Sequence, residues 1–461
     1  MKIGILPFGR PTFDVPYAEE NLGHMLEALS ALPHDLVGPT KLLFDAAATR
    51  DAIAELKNEN IDRLLILQVT FTDASMTIEA ASQFDLPLSI WAIPEPRIGG
   101  RLRLNSFCGL NLASHALGLN QRSFSWIYSD PQKTSAQQLE QLLSGESEVS
   151  ALSAESSASY QSAQGAAIAK AIAGKRIARI GEHPDGFHTC HYDRDALRAL
   201  SGVDVEELEL AGLFDAARSA PAEAVSKVRD LAGSQMSDLG TVDQEELDKS
   251  LRLKVALDSL KSDNAYDAFA LRCWPETFTE YGGAVCGPVS MLGQARTPCA
   301  CEADVYGALT QLILQEVAQS TVFLADLVDV DIEDDTGVVW HCGQAPLEMC
   351  DDTIAPSATI HTNRKMPLLY EFTLKPGPVT FMRMSQAFGQ PKMILSFGEM
   401  LRRPMAFTGT SGVVLFEKSG AEVLENVMNS GLEHHMALAY GDHRETLRSV
   451  AAALDIPILE I

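Results

Sequence analysis

The chain has 461 residues, of which 46% are hydrophobic and 21% are charged, and its formal net charge is −26. This length allows two or three domains with separate cores, and the composition is typical of a soluble globular protein. The negative charge argues against nucleic-acid binding, which relies on basic surfaces. No uncharged apolar run approaches the ~18 residues of a membrane-spanning helix, and the first residues do not resemble a signal peptide. We therefore expect a cytoplasmic protein that binds neither nucleic acid nor membrane.

The first third of the sequence alternates short β-like runs with helical patterns. The predicted strands are rich in β-branched or aromatic residues and cover residues 2–7, 63–70, 87–93 and 124–128. Helical patterns lie between them, for example at residues 17–32 and 46–58. This alternation predicts an α/β domain with a largely parallel sheet over residues 1–160. Ligands of such sheets bind beyond the carboxyl ends of the strands.

The remaining two thirds predict two further domains. Residues 145–164 are rich in Ser, Ala and Glu and are typical of a domain junction. A second α/β domain over residues 161–320 is predicted from strand patterns at 176–180 and 268–273 and from an apolar helix after Glu302. Short strands separated by Gly and Pro then favour an antiparallel β-rich domain over residues 321–461. The predicted fold class is α/β plus β, with two Rossmann-like α/β domains followed by a C-terminal β-barrel-like domain.

The segment 301–326 places carboxylates in apolar surroundings. Glu302 and Asp304 begin an apolar helical pattern, and Asp326 ends a β-rich run at residues 321–325. If they point into one cleft, two carboxylates and a distant histidine would suit a divalent metal and proton transfer. The alternative is a charge that complements a helix dipole and an Asp in an ordinary turn. The residues alone leave both interpretations open.

Three other groups of residues are candidates for function. Arg97, Arg101 and Arg103 follow the strand that contains Trp91, and they could bind an anion or form a subunit interface. The doublet at 434–435 precedes a strand, where adjacent side chains face opposite sides, so we expect at most one of the two histidines in a given pocket. Both could equally lie at the surface. His341 ends a strand pattern and could be an inward-facing ligand or an ordinary core histidine.

Other patterns favour structural roles or exclude common activities. The eight cysteines show no C-x-x-C pair, and we expect them to be reduced, buried thiols. The acidic run at 329–335 is expected to be a solvated turn. Phosphate-loop, zinc-protease, nucleophile-elbow and dinucleotide motifs are absent from the sequence.

Several segments together resemble the L-fucose isomerase-like branch of the ketol isomerases. They are RCWPETFTEYGGAVCGPVSML, CEADVYGALTQLILQ, WHCGQAP and the late HH-x-A-L-A-Y-G. The resemblance covers most of the chain and is strongest over residues 266–350. It implies an aldose–ketose isomerase with a manganese site, for which Mg²⁺ or Co²⁺ are alternatives. Glu302, Asp326 and His435 match the implied metal ligands, and the two carboxylates match the catalytic pair.

The resemblance also implies a sugar substrate and an assembly. Substrate contacts are assigned to Trp91, Arg97, Trp274, His341 and Arg364, and His341 also matches a histidine that arabinose-type relatives place at the metal. The chain is markedly shorter than the L-fucose isomerases proper, and short members of this branch isomerise sulfoquinovose, a glucose with a 6-sulfonate, to sulfofructose. Alternatives are an L-fucose/D-arabinose-type isomerase, an aldolase or epimerase, or a non-catalytic sugar-binding protein. The family implies a homo-oligomer in which a neighbouring subunit's N-terminal domain closes the site.

Overall fold

The N-terminal part of the chain forms a five-stranded parallel sheet with strand order β2-β1-β3-β4-β5. A computed structural model describes residues 1–361 and 363–461. The strands are β1 (Lys2–Phe8), β2 (Asp35–Val37), β3 (Arg63–Gln68), β4 (Leu88–Ala92) and β5 (Ser125–Tyr128). The helices are α1 (Val15–Ser30), α2 (Ala46–Leu56), α3 (Ser75–Gln83), α4 (Ser106–Leu119) and α5 (Ala136–Ser144). Every residue of β3 and β4 is buried, as expected when helices cover both faces of a parallel sheet.

A second parallel sheet has four strands in the order β7-β6-β8-β9. They are β6 (Arg176–Ile180), β7 (Asp204–Leu208), β8 (Ala268–Leu271) and β9 (Cys299–Ala300). The helices of this region are α6 (Ala163–Ile172), α7 (Arg194–Ser201), α8 (Leu210–Arg218), α9 (Ala222–Gln235), α10 (Gln244–Asn264), α11 (Cys286–Gln294) and α12 (Val305–Ala318). The predicted strand–helix alternation is therefore present in both parallel sheets.

The C-terminal part forms a nine-stranded mixed sheet in the order β12-β13-β16-β11-β10-β17-β14-β15-β18. Its strands are β10 (Phe323–Asp331), β11 (Thr336–His341), β12 (Ser357–Ile360), β13 (Pro367–Thr373), β14 (Gly377–Ser385), β15 (Lys392–Leu401), β16 (Thr410–Phe416), β17 (His435–Tyr440) and β18 (Ile458–Glu460). Helices α13 (Gly420–Ser430) and α14 (Arg444–Ala453) accompany them. Most pairings are antiparallel, but β13–β16 and β15–β18 are parallel, so the sheet is not purely antiparallel as predicted. Strand β16 also pairs with β15, which links six strands in a cycle.

Helix α12 joins the second sheet to the third. Its residues 305–314 are all buried, because it contacts β6 and β8 on one side and β14 and β17 on the other. A helix that is apolar on all sides is buried in this way. The turn before α12 therefore lies where the two sheets meet. Among the described residues, no helix is both long and apolar enough to cross a bilayer.

Candidate active site

A cavity opens where the three sheets come together. Loops that follow β1, β3 and β4 form one wall through Arg10, Phe71 and Asn105. The prediction that ligands bind beyond the carboxyl ends of the parallel strands therefore agrees with the location of the cavity. Five of the eight predicted site residues line the other walls of the cavity. They are Trp274, Glu302, Asp326, His341 and Arg364.

Glu302 lies in a 3₁₀ turn, Cys301–Ala303, between β9 and α12. Its φ of 58° is in the left-handed region, which non-glycine residues seldom adopt and which is enriched at functional sites. Trp274 Nε1 donates to Glu302 Oε1 at 3.0 Å, and His434 Nε2 donates to Oε2 at 2.7 Å. Burial alone would raise the pKa of Glu302, but the hydrogen bond and charge of His434 outweigh it and lower the pKa to about 2. The carboxylate is thus held ionised and in one orientation.

Asp326 and His435 face each other on neighbouring antiparallel strands, β10 and β17. Asp326 Oδ1 lies 3.6 Å from His435 Nε2, and Glu302 Oε2 lies 3.8 Å from the same nitrogen. Asp326 Oδ1 and His435 Nε2 are buried and have no hydrogen-bond partner within residues 1–361 and 363–461. The prediction that Asp326 ends its strand is wrong, because β10 continues to Asp331. The structure nevertheless brings the three predicted ligands together from separate segments.

Asp304 lies directly behind His435, and its role there was not predicted. It accepts a hydrogen bond from His435 Nδ1 at 2.9 Å and caps α12 by accepting from the Gly307 amide at 2.7 Å. Arg383 donates to both of its oxygens, at 2.6 and 3.1 Å. Burial would raise the pKa of Asp304, but Arg383 and His435 hold it well below its usual range. With Nδ1 occupied as a donor, the lone pair of His435 is at Nε2, toward the cavity.

Two groups of side chains have donor atoms close enough to share one cation. One group is Asp326, His341 and His435, and the other is Cys190, Glu302, His434 and His435; within each, the atoms lie within 4.8 Å of one another. His435 belongs to both groups. Carboxylate oxygens and imidazole nitrogens are ligands of divalent metal ions, and Asp326 Oδ1 and His435 Nε2 have no other partner among the described residues.

The expectation for the histidine doublet is wrong. Both His434 and His435 are buried, and both approach Glu302. The alternation rule does not apply because β17 begins at His435, which leaves His434 outside the regular strand. The ring centroids of His434 and His435 are 3.9 Å apart. The ring of His435 stacks on that of His341, with centroids 5.6 Å apart.

Trp91 and Arg97 do not line the cavity. The Trp91 side chain is 0% exposed and donates to the Ser129 carbonyl, so it has no free surface for a substrate or a neighbouring subunit. Arg97 donates to Asp329 at 2.5 Å and to Thr336 at 2.6 Å. Asp329 is itself buried, so the expectation of a solvated acidic turn is wrong at this position.

Cysteines surround the turn that contains Glu302. Cys273 and Cys301 form a disulfide, so the expectation that all eight thiols are reduced is wrong for this pair. Cys286 Sγ lies 3.5 Å from Cys342 Sγ, and all four line the cavity. The disulfide therefore links the backbone next to Glu302 to the backbone next to Trp274.

Two family models match the chain. One is described as the fucose/sulfoquinovose isomerase N-terminal domain and matches residues 4–151; the other is described as the L-fucose isomerase C-terminal domain and matches residues 339–461. Together they span more than half of the sequence. The first contains the loops with Arg10 and Phe71, and the second contains His341 and His435.

Similar proteins named sulfoquinovose isomerase align over nearly their whole length. The protein from Priestia aryabhattai is 28% identical over 98% of this chain and 97% of its own. Those from Alkalicoccus urumqiensis and Clostridium sp. (strain MSTE9) are 28% and 29% identical, over 99% and 98% of this chain and 98% and 97% of theirs. A periplasmic sugar-binding protein from Legionella pneumophila is 13% identical over 69% of this chain and 96% of its own, with a TM-score of 0.18, too low to support an argument. The chain belongs to the L-fucose isomerase-like family and is an aldose–ketose isomerase.

Proposed function

We propose that this enzyme isomerises sulfoquinovose to sulfofructose with the help of a divalent cation. The observation that carries the proposal is the pair of buried, unpaired atoms Asp326 Oδ1 and His435 Nε2 beside Glu302. Unsatisfied buried polar atoms are rare and need an explanation, and a shared cation would satisfy both. The relatives named sulfoquinovose isomerase support the choice of sugar.

Glu302, Asp326 and His435 would hold the cation, for which we propose Mn²⁺, with Mg²⁺ or Co²⁺ as alternatives. Two carboxylates and one imidazole suit these ions better than metals that prefer thiolates. His341 forms a group of donors with Asp326 and His435 and would be either a further ligand or a contact to the sugar. The bound cation would supply Lewis-acid stabilisation of the negative charge that develops on the sugar oxygens.

The two carboxylates would move the proton that isomerisation requires. A proton leaves C2 of the aldose to give a cis-enediolate, a proton is returned to C1, and the hydroxyl proton of O2 is transferred to O1. Both oxygens of Glu302 are held by Trp274 and His434, whereas the Asp326 carboxylate makes no hydrogen bond to a described residue and can accept a proton. Trp274 and His434 would therefore act by fixing the Glu302 carboxylate against the sugar.

The test is turnover of a panel of aldoses after chelation and readdition of Mn²⁺, Mg²⁺ or Co²⁺. The panel contains sulfoquinovose, D-glucose, L-fucose and D-arabinose, and NMR in D₂O follows deuterium entering the sugar. Glu302→Gln and Asp326→Asn should each lower kcat by about 10²–10⁴-fold. The exposed Asp352→Asn is the matched control. Retention of more than about a tenth of the activity would remove that carboxylate from the mechanism.

Other outcomes of the panel distinguish the alternatives. Fast turnover of L-fucose without sulfoquinovose would reject the sulfonate substrate and leave an L-fucose/D-arabinose-type isomerase. Cleavage of the carbon skeleton would indicate an aldolase. Sugar binding that survives chelation, without turnover of any sugar, would contradict the proposed reaction.

We also propose that the enzyme is a cytoplasmic homo-oligomer with its site near a subunit interface. The loops with Arg10 and Phe71 line the cavity from the same chain, so a neighbouring subunit would close only the remaining opening. The cycle of six paired strands supports our proposal that the third domain is barrel-like. The domain boundaries at residues 160 and 320 stay a prediction. Sedimentation equilibrium showing a monomer at micromolar concentration would contradict the assembly.

A further inference from the structure

A positively charged corner of the cavity surrounds the ring of Trp274. The guanidinium carbon of Arg10 lies 5.4 Å from the ring centroid, and that of Arg364 lies 4.9 Å from it. Both arginines line the cavity. Because Trp274 Nε1 donates to Glu302, the indole connects this corner to the carboxylates assigned to the reacting end of the sugar.

The two arginines differ in how their charges are compensated. Arg10 forms a short ion pair with Asp73. The Arg364 guanidinium has no ion pair and no hydrogen bond with any residue in 1–361 or 363–461. Burial lowers the pKa of Arg364, and the nearby charge of Arg10 lowers it further. A partly desolvated cation without an anionic partner among the described residues is costly, and an anionic ligand would offset that cost.

The loop that bears Arg364 is anchored to the N-terminal wall. Arg101 Nη2 donates to the Thr12 carbonyl and to Asn363 Oδ1, both at 3.0 Å. The Arg364 amide donates to His361 Nδ1 at 3.3 Å. Arg101 therefore acts as a positioning residue for Asn363, next to Arg364, and contacts made before a ligand arrives lower the entropic cost of binding.

We infer that Arg364, with Arg10 beside it, binds a single anionic group on the end of the sugar remote from the isomerised carbons. This rests on the proposed function, because Glu302 and Asp326 assign the reacting end. Asp73 pairs with Arg10, whereas Arg364 has no carboxylate partner among the described residues, so Arg364 offers one unpaired guanidinium to a ligand. A sulfonate has one negative charge, whereas a phosphate monoester has about −1.5 to −2 at pH 7. One unpaired guanidinium therefore matches the single charge of a 6-sulfonate better than the charge of a 6-phosphate.

The first experiment compares kcat/KM for sulfoquinovose, D-glucose and D-glucose 6-phosphate. In Arg364→Met the ratio of kcat/KM for sulfoquinovose to that for glucose should fall by about 10- to 100-fold, the usual range for a lost hydrogen bond to a charged group. Arg194→Met, at an exposed arginine of α7, is the control and should keep the wild-type ratio. Equal losses on both sugars would overturn the inference.

The comparison of sulfoquinovose with D-glucose 6-phosphate tests whether the site is matched to a single negative charge. Wild-type enzyme should prefer the sulfonate to the phosphate. Asp73→Asn removes the partner of Arg10 while leaving an oxygen to accept from the Ser75 amide, and it should shift the preference toward the phosphate. A wild-type preference for the phosphate, or no shift in Asp73→Asn, would contradict the assignment of one net charge.

The second experiment does not depend on turnover. Methanesulfonate is titrated into metal-free protein and binding is followed by NMR, for wild type, Arg364→Met and Arg364→Lys. Binding should be lost in Arg364→Met and weakened in Arg364→Lys, which keeps the charge without the forked donors. Equal binding to all three would overturn the inference. If no sugar is turned over but binding still depends on Arg364, the proposed function fails and the anion site stands.

Discussion

Replacing Asp304 by Asn tests whether the buried ion pair behind the site maintains both the fold and the position of His435. The Arg383 and Asp304 side chains are 0% and 1% exposed, and their nitrogen and oxygen atoms are 2.6 Å apart. After the substitution, Glu433 Oε2, at 3.8 Å from Arg383 Nε, is the remaining carboxylate near this guanidinium among the described residues. Removing one partner of a buried pair costs about 3–5 kcal/mol. We expect the free energy of unfolding to fall by about that amount.

The same substitution should also weaken metal binding. His435 loses the carboxylate that orients its ring, and loss of such a group lowers metal affinity by about 10–100-fold. Urea unfolding of metal-free protein and calorimetric titration with Mn²⁺ measure the two effects. Asp352→Asn is the control, since this exposed partner of Arg402 should contribute less than about 1 kcal/mol. Wild-type stability together with wild-type Mn²⁺ affinity in Asp304→Asn would refute the reasoning.

Three further predictions concern metal removal, pH and Arg97. Chelation should lower the thermal midpoint and readded Mn²⁺ should restore it, because a ligand of the native state stabilises it; an unchanged midpoint would contradict the metal site. Burial raises the pKa of Glu95 from 4.5 to about 7, so the folded chain keeps a proton that the unfolded chain releases. The free energy of unfolding should therefore fall as pH rises from about 4.5 to 7. Measured by urea unfolding at pH 5 and 8, the fall should be about 2.5 kcal/mol larger than in Glu95→Gln. Arg97→Met should lose about 3–5 kcal/mol because Asp329 stays buried without its guanidinium, while the ratio of kcat/KM for sulfoquinovose to that for glucose stays at the wild-type value.

The sequence by itself indicated the order of the elements and the three residues that we propose as metal ligands. Strand and helix patterns depend on the local periodicity of apolar residues, and both parallel sheets follow from them. Glu302, Asp326 and His435 came from the resemblance to a family, and the structure places them around one point. Periodicity could not have selected them, because each belongs to a different segment and charged residues of this kind are common on helix ends and turns.

Only the tertiary structure decided which partners each charged side chain has. Arg97 and Arg364 are both arginines in polar loops, yet Arg97 is paired with Asp329, 232 residues away in sequence, and Arg364 faces the cavity. Asp304 meets Arg383 across 79 residues, and Arg10 comes to Trp274 from a different sheet. Such contacts are set by how three sheets pack, and no local pattern encodes them. An arginine's function depends on whether packing supplies it with a carboxylate, and this is settled only when the chain is folded.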